Sequence, residues 1–309
     1  MATELSVVIP AYNEQDNIQP LTQELISVLN SYGKPYEIIF IDDGSTDATA
    51  EKIALLHEKN RNIRLIQFRK NFGQTAALDA GFKNANGKII IPMDSDLQND
   101  PADIPRLLSG LNNSDAVVGW RKDRKDALPK RLFSRLANAM RKALTGERIH
   151  DSGCTLKAIR KEAVEELDLY GEMHRFIPAL LMWKGFKVTE AVVRHRPRHS
   201  GKTKYNFKRL LKGFLDLLVV KFWMQYSTRP IHLFGGLGMF FSLLGVIMGL
   251  HLTFLKIFRG EQLANRPMLL LAVLLVVLGT QFVLFGFIAD ILIKTHYKGK
   301  PPYSIKRTL

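Results

Sequence analysis

Two almost continuously apolar stretches, residues 231–258 and 267–293, constrain this 309-residue chain more than any other feature. Each exceeds the ~20 residues a helix needs to cross a bilayer. Only a short polar link, residues 259–266, separates them. The pattern predicts a transmembrane hairpin, and the competing reading is a pair of core helices in a soluble protein. Gly245 and Gly249 offer a face for close helix packing. The mean hydropathy of the whole chain is nevertheless near zero, because residues 1–204 alternate short apolar runs with polar helical patterns.

Within that first part, residues 5–9, 37–41, 63–68, 88–93 and 115–119 are rich in Val and Ile and bounded by turn residues. Helical patterns at 17–29, 47–58 and 74–84 fill most of the gaps. This alternation predicts an α/β fold with a mostly parallel, Rossmann-like sheet covered on both faces. Pro20 is tolerated in the first turn of its helix, and Thr46 or Asp47 is placed to cap the next one. A basic region follows, about 120–204, with a helix candidate at 129–144. The segment 205–226 then sets Phe207, Leu210, Leu211, Phe214, Leu215, Leu218 and Phe222 opposite Lys208, Arg209, Lys212, Asp216 and Lys221. A basic amphipathic helix ending in Trp223 and Tyr226 fits the headgroup plane of a membrane. The expected organisation is a catalytic domain at 1–204, a juxtamembrane helix at 205–230, spans at 231–258 and 267–293, and a basic tail at 294–309.

The net charge of +15 calls for an anionic partner. Much of the excess lies between Arg121 and Arg229, just before the apolar region, which points to lipid or lipid phosphate. No nucleic-acid-binding motif is present, so nucleic acid is not an expected partner. The single cysteine, Cys154, excludes an intrachain disulfide and suits a reducing compartment. The N-terminus, MATELSVVIPAYNE, lacks a basic stretch followed by a long apolar one and reads as a first strand, not a signal peptide.

A parallel sheet places its site at the carboxyl ends of its strands. Those ends carry PAYNE at 10–14, DDGSTD at 42–47, RKNFGQ at 69–74 and DSDLQ at 94–98. Any one of these fits a capped turn, but four in succession point to a site. Asp94 and Asp96, at i and i+2 of a segment read as extended, would face the same way. Two like charges so close call for a cation. A hard divalent ion shared with substrate phosphates supplies one.

PAYNE, DDGSTD, RKNFGQTAALDAG and DSDLQNDP, in this order and spacing, resemble the family-2 glycosyltransferases of GT-A fold over roughly residues 5–205. Downstream, DSGCTLKAIR, GEMHRF and RHRPRHSGKTKY, followed by two membrane spans, resemble the polyprenyl-phosphate branch of that family, which includes dolichol-phosphate mannose synthases and undecaprenyl-phosphate sugar transferases. The resemblance implies a nucleotide-sugar pocket lined by Pro10, Ala11, Tyr12, Glu14, Asp42, Asp43, Gly73, Asp94, Ser95 and Asp96. It implies metal binding, as Mg²⁺ or Mn²⁺, by Asp94, Asp96 and Gln98. It assigns acceptor and phosphate contacts to Arg121, Arg131, Ser134, Arg198, Ser200 and Lys202. Asp151 matches an acidic residue of unsettled role, and Asp94, Asp96, Asp151 and Arg121 form the candidate catalytic set. For each basic residue singly, the plainer reading is a solvated or lipid-facing charge.

The implied reaction moves a sugar from a nucleotide diphosphate to polyprenyl phosphate with inversion at C1. A lipid phosphate arrives largely ionised, with a second pKa of about 6, so no strong general base is required. His174, beside Arg175, therefore reads as a packing or positioning residue. The alternatives are a processive polysaccharide synthase of the same fold and a non-catalytic lipid-binding module. Against the synthase, residues 225–230 read QYSTRP, without the Gln-x-x-Arg-Trp such enzymes usually carry, and two spans are few for a channel. The charges around the spans favour both termini in the cytoplasm, with the protein in the cytoplasmic (inner) membrane. A flippase and a later glycan transferase would then handle the product. The reading also allows a homo-oligomer.

Overall fold

The computed structural model describes residues 3–122, 146, 149–197, 207–226, 229–260, 262 and 267–296. The chain divides into two compact units, Met1–Lys221 and Phe222–Leu309.

The first unit is built on a seven-stranded sheet. Its strands are β1 (Leu5–Ala11), β2 (Tyr36–Asp42), β3 (Ile63–Gln67), β4 (Ile89–Pro92), β5 (Ala116–Trp120), β6 (Lys157–Arg160) and β7 (Val188–Val192). They lie in the order β3-β2-β1-β4-β6-β5-β7. β6 is the strand that runs against its neighbours. The helices α1 (Ile18–Tyr32), α2 (Thr49–Lys59) and α3 (Gln74–Asn84) connect the first four strands. Further along come α4 (Ile104–Gly110), α5 (Lys161–Glu165) and α6 (Ile177–Trp183).

Near-continuous apolar strands produce this arrangement, because both faces of the central strands must be covered. Leu5, Val7, Val8 and Ile9 of β1 and Ile38, Ile39, Phe40 and Ile41 of β2 are wholly buried, as are Leu21, Leu25 and Leu29 of α1. Register then fixes the site: Ala11 pairs with Asp42, and Asp42 with Gln67, so three motif loops leave the sheet side by side.

All five expected strands are present. β6 and β7 are additional, and both come from the segment read only as a basic region. β6 is four residues long and carries Lys157 and Arg160. β7 is a half-exposed edge strand, VTEAV. Neither has the apolar run that marks a central strand. The helix candidate at 129–144 lies outside the described residues.

α7 (Phe207–Tyr226) follows, its last residues belonging to the second unit. Leu215, Leu218 and Val219 are exposed along it, whereas Leu217 and Val220 are buried. Leu215 and Leu218 belong to the apolar stripe read from the sequence, and that part of the stripe faces outward. The buried positions are ones that the stripe did not include.

In the second unit, α8 (Ile231–Arg259) and α9 (Pro267–His296) pack against each other. A Cβ on Gly238 would stand 2.6 Å from the Gly279 carbonyl oxygen, and one on Gly245 would stand 2.7 Å from that of Ala272. Glycine at these positions lets the two backbones approach closely. The interface repeats at seven-residue spacing and does not use the Gly245–Gly249 pair: a Cβ on Gly249 would meet nothing within 4 Å. Of the most apolar window in each helix, only 17% and 11% is buried. Core helices of a soluble protein would bury most of theirs, so the exposed apolar surface matches a membrane-embedded pair.

Candidate active site

The loops leaving β1 and β2 are stitched together by short polar side chains. Asn13 takes a left-handed conformation, φ 55°, which asparagine tolerates. Its Oδ1 accepts from the Thr46 N–H at 2.8 Å, and its own N–H donates to Ser45 Oγ at 3.0 Å. The Glu14 N–H donates to Thr49 Oγ1 at 2.9 Å. Asp47, one of the two residues expected to cap α2, accepts from the Thr49 N–H at 3.0 Å. Tyr12, at the tip, is exposed.

The paired aspartates at the end of β2 have different tasks. Both oxygens of Asp43 accept backbone N–H groups, from Phe72 at 2.7 Å and Gly73 at 2.9 Å. Asp43 thereby pins the loop that opens α3. Gly44 permits that approach, since a Cβ there would lie 2.4 Å from the Lys70 carbonyl carbon. Asp42 is fully buried. Its Oδ1 accepts from the Ser45 N–H at 3.1 Å, while Oδ2 is buried with no protein partner. Such an acceptor is costly unless a ligand donor meets it.

Beyond β4 the chain bends, so Asp94 and Asp96 do not lie on an extended segment as the sequence reading held. Leu97, between Asp96 and Gln98, takes a left-handed conformation at φ 60°, and this turn sets the two carboxylates. Asp96 and Ser95 are buried, and Asp96 Oδ1 accepts from the Gln98 N–H at 3.2 Å. Asp94 Oδ1 accepts from Gln74 Nε2 at 2.8 Å and Oδ2 from Thr155 Oγ1 at 2.7 Å. Burial, followed by the neighbouring Asp96 charge, pushes the Asp94 carboxyl up to about 6. The Thr155 hydrogen bond and the charges of Lys157 and Arg121 counter this only in part.

Arg121 grips Asp151 with a two-pronged contact, Nε to Oδ2 at 2.7 Å and Nη2 to Oδ1 at 2.9 Å. Burial alone would lower the guanidinium pKa, but Asp151 holds it above its ordinary value. Arg121 is thus an ion-paired cation, which a phosphate would have to share with Asp151. Lys157 is buried, its Nζ bonded to the Cys154 carbonyl oxygen. Burial lowers its pKa despite the nearby carboxylates.

A cavity beneath Asp94 is lined by Gln74, Thr155, Lys157 and His174, with Leu78, Met93 and Ile177 among its apolar walls. His174 Nδ1 lies 2.6 Å from Thr75 Oγ1, a contact that orients the ring. On the other side of the turn, the Arg196 N–H donates to the Gln98 carbonyl at 2.9 Å. Arg194 and Arg196 both pair with Asp100, at 3.3 and 2.9 Å.

The donor set is one of hard oxygens, which favours Mg²⁺ or Mn²⁺ over softer metals. Among the described residues, no group of three or more His, Cys, Asp or Glu is arranged to hold a metal. Two neighbouring carboxylates whose repulsion is only partly countered nevertheless suit an ion that takes its remaining ligands from substrate phosphates and water. Of the residues singled out in the sequence, Asp94, Ser95, Asp96 and Gln98 lie on the turn after β4, and Asp42 and Asp43 at the end of β2, with β1 between the two strands. Arg131, Ser134, Arg198, Ser200 and Lys202 lie outside the described residues. Gln74, Thr155 and Lys157 were given no role in the sequence reading although they sit inside the motifs. Only their distant partners reveal them.

The sequence pattern of glycosyl transferase family 2 matches residues 6–168. The chain belongs to that family. Relatives span almost its whole length. One is a dodecaprenyl-phosphate galacturonate synthase of Rhizobium johnstonii, 39% identical over 98% of this chain and 92% of its own. Another is an undecaprenyl-phosphate 4-deoxy-4-formamido-L-arabinose transferase of Pectobacterium atrosepticum, 34% identical over 99% and 93%. Among solved structures, mannosyl-3-phosphoglycerate synthase of Rubrobacter xylanophilus superposes with a TM-score of 0.56 at 13% identity, covering 71% of this chain and 74% of its own. Glucosyl-3-phosphoglycerate synthase of Mycobacterium tuberculosis, crystallised with Mn²⁺ and UDP-glucose, gives 0.52 at 19% identity, covering 71% and 79%. At such identities these two structures speak for the fold, and the family-2 glycosyltransferase has the GT-A type of α/β sheet.

Proposed function

We propose that this enzyme transfers a sugar from a nucleotide diphosphate to a polyprenyl phosphate, with a divalent cation and inversion at C1. The observation that carries the reading is the under-compensated Asp94–Asp96 pair at the carboxyl edge of a family-2 sheet. Relatives named for polyprenyl-phosphate sugar transfer align with nearly the whole chain, hairpin included.

In this reading Asp42 Oδ2 and Tyr12 receive the nucleoside, Asp42 by accepting a base or ribose donor. Pro10, Ala11, Glu14 and Gly73 shape the pocket wall, and Asp43 holds the loop that closes it. Asp94 and Asp96, with Gln98, would hold Mg²⁺ or Mn²⁺, whose charge would stabilise the departing diphosphate. Gln74 and Thr155 keep the Asp94 carboxylate oriented. Lys157 and Arg121 place positive charge near Asp94, that of Arg121 shared with Asp151. Arg131, Ser134, Arg198, Ser200 and Lys202 are assigned to the acceptor phosphate on the resemblance alone. Because that phosphate is largely ionised, none of these residues needs to remove a proton from it.

The apolar hairpin makes the enzyme a membrane protein. We place its catalytic unit and both termini in the cytoplasm, where glycosylation would occur on the cytoplasmic leaflet of the inner membrane.

The test is incubation of the full chain in detergent with undecaprenyl phosphate and a panel of nucleotide diphosphate sugars, with Mn²⁺ or with chelator. One donor class should give a lipid-linked monosaccharide of inverted anomeric configuration, and only with metal. Transfer undiminished by chelator, or a growing polymer, would reject the reading.

A further inference from the structure

The two ends of the turn that carries the paired carboxylates meet on one hydroxyl group. Thr155 Oγ1 donates to Asp94 Oδ2 at 2.7 Å and accepts from Asn99 Nδ2 at 2.9 Å. The chemistry fixes this direction, because a carboxylate only accepts and the amide nitrogen only donates. Asp94 and Asn99 bracket Leu97, whose left-handed backbone costs a branched residue roughly 1–2 kcal/mol. A turn strained in this way persists only where its surroundings over-determine it. Part of that restraint falls on the backbone: the Gln98 carbonyl accepts from Arg196, and Asn99 forms a bridge with His195. Thr155 differs in acting on the carboxylate itself. With Gln74 on Oδ1 and Thr155 on Oδ2, rotation of the Asp94 side chain breaks one bond or the other. Each oxygen still keeps a second lone pair for a cation.

We propose that Thr155 is a positioning residue for the transfer reaction, its hydroxyl orienting Asp94 towards the metal-bound diphosphate by tying it to Asn99. The proposal rests on the functional reading above. Outer partners of this kind typically change metal affinity by roughly 10–100-fold when removed.

Valine has the shape of threonine without the hydroxyl, and serine keeps the hydroxyl without the methyl group. Mn²⁺ is titrated against the full chain in detergent with UDP or GDP present, for wild type, Thr155→Val, Thr155→Ser and Asp96→Asn. Thr155→Val should weaken Mn²⁺ binding about tenfold or more and raise the Mn²⁺ concentration for half-maximal transfer more than it lowers the rate at saturating metal. Thr155→Ser should recover most of the affinity. If Thr155→Val does not fold, Asn99→Ala removes the other half of the tie and should weaken Mn²⁺ binding in the same direction. Wild-type affinity in the folded valine variant, or in Asn99→Ala where that stands in for it, overturns the proposal. So does a serine variant as weak as valine. Asp96→Asn separates the two claims: wild-type affinity there removes the metal reading and this proposal together. Weakened binding there with unchanged Thr155→Val removes this proposal alone.

Discussion

The sheet buries carboxylates at both of its ends and treats them in opposite ways. Glu37, near the amino end of β2, accepts from Ser6 Oγ at 2.6 Å, the Asn86 N–H at 2.7 Å and Arg64 Nη1 at 2.6 Å. Burial opposes its ionisation, yet these donors outweigh burial and hold its pKa below the ordinary value. Asp94, beyond the carboxyl end of β4, has two hydrogen bonds and a like charge beside it, and its pKa rises to about 6. The amino end is fully satisfied and anchors the fold. The carboxyl end leaves the Asp94 charge only partly compensated by Thr155, Lys157 and Arg121, which suits the cation and diphosphate proposed to bind there.

Asp96→Asn should break the carboxyl end with the largest effect. Transfer should fall by roughly 10²–10³-fold, the range for losing one electrostatic contact to developing charge, while circular dichroism and membrane insertion stay unchanged. Glu37→Ala should do the reverse. It removes the acceptor of Ser6, Asn86 and the half-exposed Arg64, and losing hydrogen bonds to a buried charged group costs about 1.5–3 kcal/mol. Denaturant unfolding of the catalytic unit should register that loss, while activity per folded molecule remains. A Glu37 variant of normal stability and reduced nucleotide affinity would dissolve the distinction between the two ends.

A pH series sharpens the comparison. The folded pKa of Asp94 is raised, from 3.8 to about 6, so between those values the folded state binds the proton more tightly than the unfolded chain. Stability attributable to Asp94 is therefore present below pH 3.8 and lost as pH rises through about 6, by at most about 3 kcal/mol. The lowered pKa of Glu37 works in the other direction, losing stability as pH falls. In metal-free protein, wild type minus Asp94→Asn isolates the first effect, and a difference that grows towards low pH in favour of Asn would reverse its sign. The smallest effect belongs to the turn backbone. At Leu97, glycine should be more stable than alanine by about 1 kcal/mol, opposite to their order in a helix or strand.

The sheet was legible where strands are apolar on both faces, as in β1 and β2, and illegible where Lys157 and Arg160 interrupt a four-residue strand. The aspartate pairs were legible as chemistry but not as division of labour. Nothing in Asp42-Asp43 says that Asp43 spends both oxygens on backbone N–H groups 29 and 30 residues away. Thr155 bonds to Asp94 across 61 residues, a pairing that only the packed sheet creates. The Arg121–Asp151 pair, 30 residues apart, likewise turns two separate candidates into one unit. The proximity of Asp94 and Asp96 was expected from an extended strand and is achieved by a left-handed turn.

The most direct test of the carboxyl end as the metal–diphosphate site is the unfolding midpoint of the catalytic unit, measured in the full chain after metal removal and on adding Mn²⁺ with UDP or GDP. Ligand at a hundred times its dissociation constant should stabilise the wild type by about 2.7 kcal/mol. Asp94→Asn and Asp96→Asn should lose most of that gain, and Glu37→Gln should keep all of it. Equal gains in the wild type and both aspartate variants would contradict the account.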